Sequence, residues 1–322
     1  MEMRSGMFVG FDYHKLFFAV LFCGIAVIGA SGQGRSASAA RRSVVVVTEP
    51  NSTVLIDGVR YGVTDEKGRL AISSVSAGVH SIRVRSKGFS EAVKSLPAAS
   101  SGEVAIKLTK TTDEAELAYQ SAEAATTVDR QKAIAEYERA IQLRAKYPEA
   151  YLGLARMYSE TGDLEKADKA IRTAKRLKPG YGEASAVEGR IAKDSGEEDK
   201  AIIAFKRAIT ESKGFQPEAY TGLGLLYKER AEASGAGSEF EQESANYNDA
   251  IRYLAVASKQ LGSAPDAIVV YQLLGLIYEK QKKFKEAIAL YEEFLRLFPN
   301  ASEAGAVQSF IVQIKKQMAD EK

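Results

Sequence analysis

Two textures of apolar spacing divide the chain. Between residues 43 and 109 the apolar residues come in short, β-branched runs separated by turn residues. Residues 43–48 read SVVVVT, 53–58 TVLIDG, 69–73 RLAIS, 79–85 VHSIRVR and 103–109 EVAIKLT. In the fourth run Ile82 and Val84 fall on one side and Arg83 and Arg85 on the other, which is the alternation of a strand with one wet face. Asp57-Gly58, Lys67-Gly68 and Lys87-Gly88 fall between runs, where glycine supplies the positive φ of a tight turn. Short strands at near-regular spacing predict a small antiparallel β-sandwich over residues 43–110.

From residue 113 the spacing changes to that of helices. PEAYLGLARMY at 148–158 returns as PEAYTGLGLLY at 217–227. Tyr151, Ala155 and Tyr158 stand at i, i+4 and i+7, as do Tyr220, Gly224 and Tyr227, and again Tyr271, Gly275 and Tyr278. That spacing puts each trio on one helix face, where the tyrosines supply packing area and the small residue lets a second helix come close. The second helix follows the first copy: Gly162 marks a turn, Ala167, Ile171 and Ala174 form an apolar face, and Pro179 ends the unit. Gly189, Gly196, Ala201, Phe205 and Ala208 trace a weaker copy, and Ala133, Tyr137 and Ala140 trace the second helix of the first. Asp113 with Glu116 predicts a capping box there. In the fourth unit a first helix runs from Pro217 to about Arg230, and the second is placed only from Ala250 onward. The stretch between them predicts longer helices or a glycine-containing loop at 234–238. After Pro299, Val307, Phe310, Ile311 and Ile314 mark the buried side of a capping helix.

These positions resemble the tetratricopeptide repeat (TPR). The resemblance rests on Tyr151, Leu154, Ala155, Tyr158, Ala167, Ile171, Ala174 and Pro179, and in the last copy on Tyr271, Leu274, Gly275, Tyr278, Ala287, Tyr291, Phe294 and Pro299. The expected fold is therefore mainly α: a TPR α-solenoid preceded by a small antiparallel β-sandwich and an N-terminal signal or anchor helix. About five repeats are expected, at 113–147, 148–181, 182–216, 217–264 and 265–299, with a capping helix and tail at 300–322. The β-segment resembles the PEGA family of bacterial envelope domains through Pro50, Val54, Ile56, Asp57, Gly58, Gly62, Thr64, Gly78, His80, Val84, Gly88 and Phe89, with Asp65 where that family usually has proline. It is also similar to the carboxypeptidase-regulatory-like β-domain. Neither resemblance brings a ligand site.

Composition narrows the chemistry. A formal net charge of +2 is too balanced for a nucleic-acid partner. Two histidines and one cysteine cannot assemble a His/Cys metal cluster, and no cofactor is expected. Residues 16–30, LFFAVLFCGIAVIGA, follow His14 and Lys15 and precede a small, polar linker at 31–42. The run is shorter than the ~20 residues of a membrane-spanning helix, so residues 1–30 read as a cleaved signal peptide or a retained anchor, the chain's only expected link to a membrane. Phe22 before Cys23 argues against a lipid-anchored cysteine. An exported, periplasmic or envelope-associated protein is expected. His80 reads as a turn or strand residue, and no nucleophile, Walker loop or zinc motif accompanies it, so no enzymatic activity is expected.

What the resemblance implies is binding. In the TPR family partners lie in the groove lined by the first helices. Here that face presents Leu152, Arg156 and Ser159, then Ala186, Arg190 and Lys193, then Thr221, Leu225 and Lys228, and finally Gln272, Leu276 and Glu279. The cations among them predict a modestly basic stripe suited to an acidic peptide. The asparagine-lysine clamp of chaperone-binding members is absent from these positions. The leading expectation is a non-catalytic protein-binding scaffold of the bacterial envelope, with the β-domain tethering or positioning it. The alternative is a polysaccharide- or wall-binding protein acting through the β-domain.

Overall fold

The structure is a computed structural model and describes residues 42–320; the expected signal or anchor at residues 1–30 lies outside the described residues. The β-segment forms two main sheets. One has the order β4 (Arg69–Val75), β1 (Arg42–Val47), β8 (Gly102–Ala105). The other has the order β3 (Val59–Val63), β2 (Thr53–Ile56), β5 (His80–Arg85), β7 (Ala92–Leu96). A two-stranded ribbon joins β6 (Phe89–Ser90) to β9 (Thr109–Lys110). Val44 and Val46 of one sheet share a core with Val54, Ile56, Ile82 and Val84 of the other, so the alternation seen in the sequence is the inward set of a two-layer sandwich. The sandwich is not purely antiparallel, because β1 pairs β8 in parallel. The run at 103–109 is two short strands rather than one, since the chain leaves the first sheet after Ala105 to build the ribbon.

The helical segment is five antiparallel pairs and a closing helix. The pairs are α1 (Glu114–Ala125) with α2 (Arg130–Leu143), α3 (Pro148–Glu160) with α4 (Leu164–Leu177), and α5 (Gly182–Asp194) with α6 (Glu198–Glu211). Then come α7 (Pro217–Ala236) with α8 (Phe240–Leu261), α9 (Ala267–Lys280) with α10 (Phe284–Leu297), and last α11 (Ala304–Asp320). Pro148 and Pro217 open α3 and α7, where the missing N–H costs nothing and the fixed φ suits a first helical turn. Only half of the expected capping box forms: Asp113 Oδ1 accepts from the Ala115 and Glu116 amides, while the Glu116 carboxylate accepts from Gln120 and Tyr147 instead. The irregular fourth pair resolves into longer helices, with α7 running past Arg230 to Ala236 and α8 starting at Phe240.

Small residues set the spacing between helices. Phe205 on α6 lies between Gly189 of its own pair and Gly222 of the next; a Cβ at Gly189 would meet the ring at 2.6 Å, and one at Gly222 would come closer still. Gly224 meets Leu254 and Gly275 meets Tyr291 in the same way. Val307, Ile311 and Ile314 of α11 are buried and close the last apolar face, with Phe310 packed alongside them.

Candidate functional site: the inner face of the helical stack

The first helices of the pairs converge on one side. Arg156 near the end of α3 donates to Glu218 at the start of α7 at 2.7 Å, although α5 lies between them in the stack. Side chains two pairs apart can touch only where the stack bends inward, so this side is concave. Arg190 of α5 reaches the same Glu218 at 3.7 Å. Burial opposes the charge on Glu218, but the two guanidiniums outweigh it and hold the carboxyl below its usual range. Burial raises the Asp266 carboxyl, and the charge of Glu218 adds to that effect.

The structure puts the ten residues expected to bind a partner in varied settings. Leu152 is 5% exposed and belongs to the helix core. Thr221, Leu225 and Gln272 are half-buried, and Leu276 is 38% exposed. Glu279 accepts a hydrogen bond from the Tyr291 hydroxyl. The cations do not form a free stripe. Arg156 and Arg190 meet on Glu218, Lys193 pairs with Glu229 at 3.0 Å, and Lys228 pairs with Glu232 at 2.6 Å. All three carboxylates come from α7, one or two pairs along the stack or one turn along the helix, and the sequence reading did not count them. The tyrosines of the repeated face act in packing: Tyr271 is fully buried, and Tyr227 stacks on Tyr253 with ring centroids 5.4 Å apart.

Sequence reasoning missed that the β-sandwich sits against this stack and reaches most of its length. At the first pair, Arg85 Nη1 donates to Glu123 at 3.0 Å while its guanidinium lies 5.0 Å from the centroid of the Tyr119 ring. Gln120 grips the adjoining turn from both sides, its Oε1 accepting from the Gly88 amide at 3.0 Å and its Nε2 donating to the Phe89 carbonyl at 2.7 Å. At the third pair the β2–β3 turn at Gly58 lies directly under the Glu183 carboxylate. In the α6–α7 connection Phe215 meets the His80 ring edge-on at 5.8 Å. At the α8–α9 connection Tyr61 donates to the Leu261 carbonyl at 3.0 Å. There the Ser263 amide also donates to the Ser74 carbonyl, and the Ser74 amide donates to Ser263 Oγ, both at 3.0 Å. Gly262 adopts φ +57° at this contact.

His80 is part of that platform. Its Nδ1 is 2.6 Å from Asp57 Oδ2 and its Nε2 is 2.9 Å from the Ser76 carbonyl oxygen, so both ring nitrogens face acceptors and the imidazolium is favoured. The hydrogen bond to Asp57 raises its pKa above the usual value, against the effect of burial. Among the described residues no group of three His, Cys, Asp or Glu side chains is placed to hold a metal ion.

Two matches to the tetratricopeptide repeat family cover residues 129–191 and 268–301, within the helix pairs just described. The helical segment carries tetratricopeptide repeats. The solved structure of yeast Tom70 is similar to this chain with a TM-score of 0.51 and 19% identity, over 65% of this chain and 41% of Tom70. A MamA structure matches at TM-score 0.40 and 22% identity over 59% of this chain and 94% of its own. The Cut9 and Hcn1 assembly of the APC/C matches at 0.46 and 17% over 64% and 37%. The TPR stack thus spans less than half the length of Tom70, and the likeness is one of fold. No curated protein matches the chain in sequence.

Proposed function

We propose that the chain is a non-catalytic, protein-binding scaffold that offers the inner face of its TPR stack to partners, with the β-sandwich positioning the stack. TPR proteins bind protein partners and are in general non-catalytic. The observation that carries this reading is that the inner side already holds folded polypeptide, namely the chain's own sandwich, through side-chain and main-chain contacts at α1 and at the α8–α9 connection. Part of the expected face remains open at Leu276. The proposal places the protein in the bacterial envelope, supported by the apolar run at 16–30 and the PEGA-like spacing of the β-segment.

The test is site-specific photocrosslinking in the source cells. A photoreactive side chain at Leu276 should give discrete protein adducts. The same group at Ile203, 63% exposed on α6, should give none. Adducts from position 203 alone, or from neither position, would overturn the inner-face reading.

A further inference from the structure

Helix α1 presents a set of groups that together recognise a turn preceded by an arginine. Glu123 supplies a carboxylate and Tyr119 an aromatic face, and the two meet one guanidinium from different sides. Tyr119 is itself held in place by Tyr137 and Tyr147, with ring centroids 5.8 Å and 5.1 Å away. The Tyr137 hydroxyl donates to the other oxygen of Glu123, so the carboxylate is oriented before any ligand arrives. One turn away, the Gln120 side chain reads the backbone, accepting from one amide and donating to the next carbonyl. Glu116 in turn accepts from Gln120 Nε2 at 2.9 Å and from the Tyr147 hydroxyl at 2.7 Å. Backbone capture by an amide, beside a carboxylate and an aromatic ring for one cation, is the chemistry of peptide recognition.

Resting on the scaffold reading, we propose that this face of α1 is a subsite for an arginine-bearing turn of a partner protein, and that the turn at residues 85–89 of the chain fills it in cis. Charge complementarity names the occupant. The charged groups of the stack set against the sandwich include the carboxylates Glu123, Glu183 and Asp266; Arg85 ion-pairs with Glu123, the charge of Arg60 acts on Asp266, and Glu183 lies over the turn at Gly58. The cations of the expected stripe are already paired within the stack. A cationic segment therefore finds acceptors here and an acidic one does not. Only residues 111–113 separate β9 from α1, so the tethered segment competes strongly with one in solution.

The experiment uses the full chain and a labelled peptide copying residues 81–89, followed by fluorescence anisotropy. Arg85→Ala removes the internal guanidinium and loosens the tethered competitor. The peptide should bind this variant at least tenfold tighter than the wild type. Adding Glu123→Gln should abolish the gain, and a peptide with lysine in place of its second arginine should bind several-fold more weakly. Equal binding to wild type and variant, no binding to the variant at millimolar peptide, or equal binding of the arginine and lysine peptides would each overturn the proposal. Should Arg85→Ala fail to fold, Arg85→Lys keeps the pairing with Glu91 and is read the same way, with a smaller expected gain. Crosslinking at Leu276 does not depend on α1. Adducts there without peptide binding would remove the subsite and leave the scaffold reading standing.

Discussion

Gly262 is the position where the seating of the β-sandwich on the stack can be tested most sharply. It ends α8 with φ +57° and ψ −120°, a backbone state that side chains rarely adopt. A Cβ there would overlap the Ser74 carbonyl oxygen and lie 3.2 Å from its carbon. The conformation alone costs a non-glycine residue about 1–3 kcal/mol. Relief of the overlap must move the loop away from β4, and that breaks the two 3.0 Å hydrogen bonds between Ser74 and Ser263. Each is worth about 1 kcal/mol, so Gly262→Ala should cost about 3–5 kcal/mol locally. Gly196 is the control, because it too has positive φ, +75°, but has nothing within 4 Å of the added Cβ. Gly196→Ala should cost only about 1–2 kcal/mol. Hydrogen exchange of the Ser74 and Ser263 amides reads the difference directly. In Gly262→Ala it should accelerate by two orders of magnitude or more, since each 1.4 kcal/mol is about tenfold. If the two variants leave those amides equally protected, the argument that sandwich and stack are joined at this loop is wrong.

Other predictions are more local. Gly222→Ala gains about 1 kcal/mol of helix propensity, but the new methyl meets Phe205 Cε1 at 2.6 Å. Urea melts should therefore show net destabilisation, and Phe205→Leu in the same chain should reverse its sign. Glu218→Gln removes the carboxylate that pairs Arg156 and Arg190 and should cost about 1–2 kcal/mol. Because the folded-state pKa of Glu218 is lowered, its contribution is present above about pH 4.3 and is lost as pH falls further. Acid unfolding of the variant should thus depend less on pH, and an unchanged slope would count against the pairing. For His80 the sign is opposite. Its folded-state pKa is raised, so its stabilisation is complete below about pH 6.5 and fades as pH climbs through the folded value. Its ring resonances should titrate with a midpoint above about 6.5 that drops in Asp57→Asn; a midpoint at or below that value contradicts the geometry.

What the sequence disclosed and what it hid divide along contact distance. The helix pairs were legible because their determinants are local: Tyr151, Ala155 and Tyr158 repeat with their spacing intact at Tyr220 and Tyr271, and Pro148 and Pro217 mark starts. The inward set of the sandwich was legible in the same way, from Ile82 and Val84. Arg83 and Arg85 read as a solvated face, because nothing within the strand reveals that Glu91 and α1 lie opposite them. The basic stripe was overcounted for the same reason, since the carboxylate that neutralises Arg156 is 62 residues away. The contact between Tyr61 and Leu261 spans 200 residues and leaves no periodic trace. Gly262, a glycine closing a helix, does not by itself reveal that the next residue bonds across to a strand.

The placement of the sandwich also changes how the molecule should come apart. An open array of repeats frays from its ends, each unit leaning only on its neighbours. Here the opening helix and the loop before α9 are fastened to the same folded body, so the first four pairs cannot open at one anchor without straining the other. Those four pairs are in effect circularised without a covalent link, and their thermal transition should be single and steep where an unbraced array of equal length would give a gradual one.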